Sequence, residues 1–241
     1  MRGLAFILIF CSTSLFAQQP NDWLASLENP PFSSEKLVAQ NKLAYYVKHD
    51  LSSILMPSSE ILGYIGNDYQ RIHVNFESVE RSKSLSNLYF IKGKTVVSGN
   101  ECDFEGTVTI EQFREFRHMS YGLDSMYSAA GIKAQGVAIG SYKFSENPNQ
   151  KHVGVFQGVM TLWWYLDKNG EIQFFDIDKH SDRFKNNQYV GTWSEYGKEN
   201  TRVCNWGEFR IPFSGDLDWG AGGFSVNPKY YSKGWEAFDK Y

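Results

Sequence analysis

The chain has 241 residues, 42% hydrophobic and 21% charged, a globular composition that excludes a disordered polar segment. Its net charge of −3 excludes the basic face that a phosphate backbone demands, so nucleic acid is not an expected partner. Aromatic residues reach 16%, which favours a β-sheet core, where flat rings pack on a pleated surface.

Residues 1–17 read as an export signal. Arg2 is a short positive segment, Leu4 to Phe10 is a continuous apolar run, and cleavage is expected after Ala17. That run is far short of the roughly 20 residues a membrane span needs. Cys11 follows Phe10, where a lipidation signal wants a small residue, so no lipid anchor is expected. The expected location is therefore the periplasm or the exterior, with no transmembrane span in the mature chain.

Residues 18–60 form a lead-in and a helix. Gln18 to Ser33 is polar and contains Pro30-Pro31, with Trp23, Leu24 and Leu27 able to dock as a short helical turn. Ser34 to Met56 lacks Pro and Gly, and Leu37, Ala44 and Leu51 recur at seven, which predicts one helix stopped by Pro57. From residue 61 to 241 the period is two, and no further domain boundary is evident. Ile72, Val74 and Phe76 alternate with His73, Asn75 and Glu77. Leu85 to Ile91 and Thr95 to Ser98 read as strands joined at Lys92-Gly93-Lys94. In 101–111, Cys102, Phe104, Gly106, Val108 and Ile110 face one way and the acids and threonines the other.

Phe113 to Ala130 breaks the pattern and reads as a short helix and loop. Gln135 to Phe144 resumes it. His152 to Leu166 is a long apolar strand, apolar on both faces, so both faces are covered or one lines an enclosed interior. Asp167-Lys168-Asn169-Gly170 is a strong turn signal. One echo joins two of these strands: Phe104-Glu105-Gly106 through Ile110 matches Phe156-Gln157-Gly158 through Leu162. Glycine inside a strand marks a bend or a close approach, which suits a closed or coiled sheet. The expected fold is mainly β: an antiparallel barrel, or barrel-like coiled sheet, with one N-terminal α-helix.

Beyond the signal, two cysteines remain, Cys102 and Cys204. An oxidising compartment allows a disulfide between them; two buried thiols are the alternative. The sequence has no G-x-S-x-G, H-E-x-x-H, P-loop or dinucleotide fingerprint, so no cofactor and no catalytic residue is assigned. Its five histidines stand at no metal-ligand spacing, and Asp176 to Asp182 fails the calcium-loop pattern at His180 and Ser181, so no metal is expected. Asp103 with Glu105, and Asp216 with Asp218, are the carboxylate pairs a glycoside hydrolase would require.

The densest stretch is Asn186 to Phe224, with three of the seven tryptophans, paired aspartates and a glycine cluster. Gln188 to Tyr196 and Thr201 to Trp206 flank Gly197-Lys198-Glu199-Asn200 and predict a hairpin. Candidate binding residues are Trp193, Trp206, Arg210, Asp216, Asp218 and Trp219: rings to stack on a ligand, acids and an arginine to hydrogen-bond it. The competing reading is structural, a tight loop closing a barrel end, with Asp216 or Asp218 paired to Arg210 or capping backbone N–H groups.

Gly191-Thr192-Trp193 resembles the G-x-W of lipocalins. That likeness implies an arginine across the tryptophan, Arg202 or Arg210, and a cup for a small apolar ligand; Trp193 comes late in the chain, whereas the lipocalin motif opens the barrel. More broadly, Phe16-Ala17-Gln18, Ile65 to Arg71, Phe104-Glu105-Gly106, Val190-Gly191-Thr192-Trp193, Cys204-Asn205-Trp206-Gly207 and Arg210-Ile211-Pro212 through Gly215-Asp216-Leu217-Asp218 resemble exported proteins common in Bacteroidota-type bacteria. This resemblance implies a location and no activity. The function expected is a non-catalytic binding or interaction module of the cell envelope, for a small molecule or glycan. A hydrolase of envelope or polysaccharide material, and a structural envelope component, are the alternatives.

Overall fold

A computed structural model describes residues 18–31 and 35–236; the signal reading of residues 1–17 falls outside them. The described residues form nine strands: β1 (Ile61–Ile65), β2 (Gln70–Arg81), β3 (Leu88–Val97), β4 (Asn100–Glu115), β5 (Ala134–Glu146), β6 (Gly154–Leu166), β7 (Ile172–Phe174), β8 (Asn186–Glu195) and β9 (Thr201–Glu208). Each neighbouring pair is antiparallel. The ladder runs β1–β2–β3–β4–β5–β6–β8–β9, and β9 pairs back onto β1, from Ile61 opposite Glu208 to Ile65 opposite Cys204. Eight strands thus close into a barrel. β7 lies outside the circuit, occupying the edge of β6 at Trp164–Leu166 that β8 does not reach.

Alternation places the core as expected. In β2, Ile72, Val74 and Phe76 are buried while His73, Asn75 and Glu77 are exposed. The interior is a stack of rings: Trp206 lies against Tyr189 at 5.2 Å and 19°, Tyr142 at 5.3 Å and Phe156 at 5.7 Å. Glycines on adjoining strands make room for them. Gly106 pairs with Phe144 and Gly158 with Tyr142. A Cβ on Gly158 would stand 2.1 Å from the Val190 carbonyl oxygen. The two glycines of the F-x-G echo therefore stand where the backbone of a neighbouring strand presses close.

Outward faces differ from lipid-facing ones. Glu77, Lys92, Lys94, Glu101, Asp103 and Glu105 lie on the outside of β2–β4, where a membrane barrel would need an apolar band. No described helix is long and apolar enough to cross a membrane.

Several local expectations are corrected. The single helix over 34–56 is replaced by two short helices, α2 (Leu43–Tyr46) and α3 (Ser52–Leu55). Leu37 instead bridges to Phe116, and Val38 and Lys42 donate to Glu115 and Phe113, so β4 holds this segment extended. Tyr46, Leu51, Ile54 and Leu55 then turn in to close one end of the barrel. Helical periodicity here records that cap, which tertiary contacts override. The other helix, α1 (Gln18–Glu28), is longer than the turn foreseen and lays Trp23, Leu24 and Leu27 on the outer face. Lys92-Gly93-Lys94 is no hairpin. β3 runs through it, and Gly93 leaves space for Asn75 and the Phe104 ring; the turn is Ser98-Gly99, both at positive φ. Over Phe113 to Ala130, β4 continues to Glu115, and the short helix comes later, as a 3-10 turn at Leu123–Ser125 within a loop.

Cys102 and Cys204 are both free and buried, so the disulfide is not formed. Cys204 belongs to the interior ring cluster, whereas the Cys102 thiol donates to the Lys151 carbonyl at 3.6 Å and accepts from Asn100. Burial pushes both thiols above the usual cysteine range. Non-reducing mass analysis is expected to find two free thiols, with the folded protein alkylated at Cys102 before Cys204; a 2 Da deficit would contradict this. Gly158→Val is expected to destabilise the fold by about 3 kcal/mol or more by driving a side chain into β8, read as a lowered chemical-denaturation midpoint.

Candidate functional site

β8 begins with three buried polar residues. Asn186 accepts from the Trp163 amide at 2.8 Å and donates to its carbonyl at 2.9 Å, replacing a strand partner where β6 passes from β8 to β7. Asn187, at φ +45°, donates to Glu208 at 2.6 Å and to the Ile54 carbonyl. The fully buried Glu208 also accepts from the amides of Ser58 and Ser59 at 2.8 and 2.9 Å, and from both hydroxyls. This carboxylate ties the cap to the last strand.

Trp193 lies at the opposite end. Its Nε1 donates to Glu146 at 2.9 Å, and that buried carboxylate also accepts from Thr95 and the Gly154 amide. The Arg202 guanidinium sits 5.8 Å from the Trp193 ring centre, so Arg202, not Arg210, takes the position implied by the lipocalin likeness. Trp206 belongs to the filled interior. A cup for an apolar ligand is not what these rings build; they are the packing.

Past β9 the chain turns sharply at Phe209 (φ +69°) and Phe213 (φ +54°). Arg210 donates to Asp218 at 2.5 Å and to the carbonyls of Gly220, Asp182 and Gly222. Asp218 accepts in turn from the amides of Gly220 and Ser225. The glycine cluster is thus a loop wound on one ion pair. Asp216 points elsewhere, to Lys229 and to Tyr230 at 2.7 Å, and those hydrogen bonds hold its carboxyl below the usual range. Trp219 is 62% exposed. The six candidate residues therefore do not converge: two fill the barrel, three shape the C-terminal loops and one faces solvent. The other carboxylate pair is laced with lysines, Asp103 to Lys94 at 3.5 Å and Glu105 to Lys92 at 3.9 Å.

The stretch does border a larger feature. Its hairpin turn (Glu199–Arg202) and the start of α1 (Pro20, Asn21) flank an open groove of about 1460 Å³ on the outer barrel face. Its floor is a cross-strand row in register, Thr107–Lys143–Gln157–Thr192, with Thr109, Ser141 and Val159 beside it. Hydroxyl, amide and ammonium groups thus stand side by side over four strands. Lys143 makes no ion pair among the described residues; Arg202, over the Trp193 ring, acts on the carboxyls of Asp68 and Glu195, and Glu199 also lines the groove. Sequence reasoning missed this row because its members lie on strands far apart in the chain. Their only signal was the outward phase of each alternation. No protein family, curated protein or solved structure matches the chain.

Asp218→Ala is expected to cost about 2 kcal/mol, because it strands a largely buried guanidinium and two amides. Hydrogen exchange is expected to rise across 219–225. Asp216→Ala, on an exposed pair, is expected to leave the denaturation midpoint in place.

Proposed function

We propose that this is an exported envelope protein that binds an acidic glycan or small acidic molecule on the outer face of its barrel, without transforming it. The observation that carries the reading is the polar groove whose floor carries Lys143, which forms no ion pair among the described residues, with Arg202 at its rim. Threonine, serine and glutamine in cross-strand register offer donors and acceptors to a polyhydroxyl ligand, and the cations offer charge-assisted bonds to its carboxylates. A binding role is favoured over hydrolysis by the acids themselves. Asp218 is engaged by Arg210 and Asp216 by Lys229, and the Asp103–Glu105 pair alternates with lysines. A retaining or inverting glycosidase instead sets two carboxyl groups on either side of one sugar bond.

The test is calorimetric titration with uronate-containing and neutral oligosaccharides of matched length. Acidic ligands are expected to bind, with affinity falling as salt is added. Lys143→Glu is expected to weaken binding about tenfold while leaving the fold intact by circular dichroism. Equal affinity for neutral and acidic sugars, or no loss in Lys143→Glu, would remove the proposal.

A further inference from the structure

The cross-strand row of the groove does not stop at β4. Thr107 stands directly opposite Phe90 on β3, and Phe90 stands opposite Glu80 on β2. The outward row therefore runs Glu80–Phe90–Thr107–Lys143–Gln157–Thr192. Phe90 is 48% exposed. Among the described residues, the other exposed large apolar side chains lie in loops, turns or a short helix, and Phe90 alone lies on a strand. Its same-face neighbours along β3 are Leu88, which is half-buried, and Lys92, which faces Glu105 at 3.9 Å. Glu80 is exposed and makes no ion pair among the described residues. The row thus changes character along its length: an acid on β2, a bare ring on β3, an amine on β5, and neutral hydrogen-bonding groups between and beyond.

Residues directly opposite on one face of an antiparallel pair have Cβ atoms about 5 Å apart, so the Phe90 ring abuts the groove floor at Thr107. From Phe90 to Thr192 the row crosses four strand intervals, about 19 Å at the level of the backbone. A small acid covers only part of that length, whereas a chain of sugars laid across the strands covers it all.

We propose that Phe90 is a stacking subsite at one end of the groove, and that the ligand is a linear glycan of mixed charge, with a uronate at Lys143 and a neutral sugar on Phe90. This rests on the binding role proposed for the groove and names the class of its ligand. A pyranose ring presents a face of C–H groups, and laying that face on an aromatic ring removes apolar surface from water and sets its hydrogens against the electron-rich face. A carboxylate held there loses hydration against the ring and stands beside Glu80; over Lys143 it gains a counter-charge. The order of charges along the row therefore sets the direction of the chain, with its neutral part toward β2 and its acidic part toward β8.

The test is calorimetric titration with two hexasaccharides, one alternating uronate with neutral N-acetylhexosamine and one of uronate alone. Phe90→Ala is expected to weaken the alternating chain about fivefold, and Phe90→Trp, which keeps a ring, to retain it. Glu80→Gln is expected to tighten the all-uronate chain about threefold by removing a like charge. Both positions face solvent, and circular dichroism is expected to be unchanged in all three variants. An alternating chain bound equally well by Phe90→Ala, or an all-uronate chain that gains nothing from Glu80→Gln, would overturn the inference. If Lys143→Glu weakens the alternating chain and Phe90→Ala does not, the groove keeps its proposed role and only the stacking subsite falls. If neither chain binds the unaltered protein, both fall together.

Discussion

A closed sheet of eight strands leaves an interior that side chains must fill, and here large rings fill it. The fit depends on what is missing as much as on what is present. Tyr142 and Phe144 rise from one strand, while their partners across the ladder, Gly158 and Gly106, carry no side chain. A methyl group at either glycine would meet the neighbouring backbone at about 2 Å. Rings and glycines are therefore one design, set strand against strand. The filled interior leaves the wide groove to the outer face of the barrel.

Two buried carboxylates finish the ends. Glu208 gathers the amides and hydroxyls of Ser58 and Ser59 with Asn187, and Glu146 gathers Thr95, Gly154 and Trp193. Neither forms an ion pair among the described residues; each is held by hydrogen-bond donors, which satisfies its buried oxygens. Glu208 fixes the cap to β9, and Glu146 fixes the opposite rim across β3, β6 and β8. They do for the ends of the barrel what glycine and rings do for its middle.

The barrel was legible wherever one face meets the core and the other meets water. Alternation in 72–77 and 101–111 marks the strands, and the F-x-G echo marks where neighbouring backbones approach closely. The cap was not legible, because Leu37, Ala44 and Leu51 mimic a helical stripe, whereas Leu37 pairs with Phe116, Leu51 packs in the core and Ala44 is exposed. The density of Asn186 to Phe224 drew attention for a structural reason. Arg210, Asp218 and the glycines wind a loop on one ion pair, and Trp193 and Trp206 are interior packing. The groove floor was invisible for the opposite reason. Thr107, Lys143, Gln157 and Thr192 are ordinary outward residues on separate strands, and only the register makes them neighbours.

The seam of the barrel joins β1, near residue 61, to β9, near residue 208. Every other junction of the eight-strand circuit links strands closer in sequence. The seam therefore closes a loop of most of the chain, and its entropic cost is met only after the remaining pairs have formed. During synthesis from the N-terminus, β1 emerges early and waits with one edge bare until the last strand arrives. The cap from residues 42 to 59 emerges just before it, and its carboxylate tether, Glu208, sits on that same last strand. Seam and cap thus complete together, which makes the final strand the step that commits the molecule to its shape.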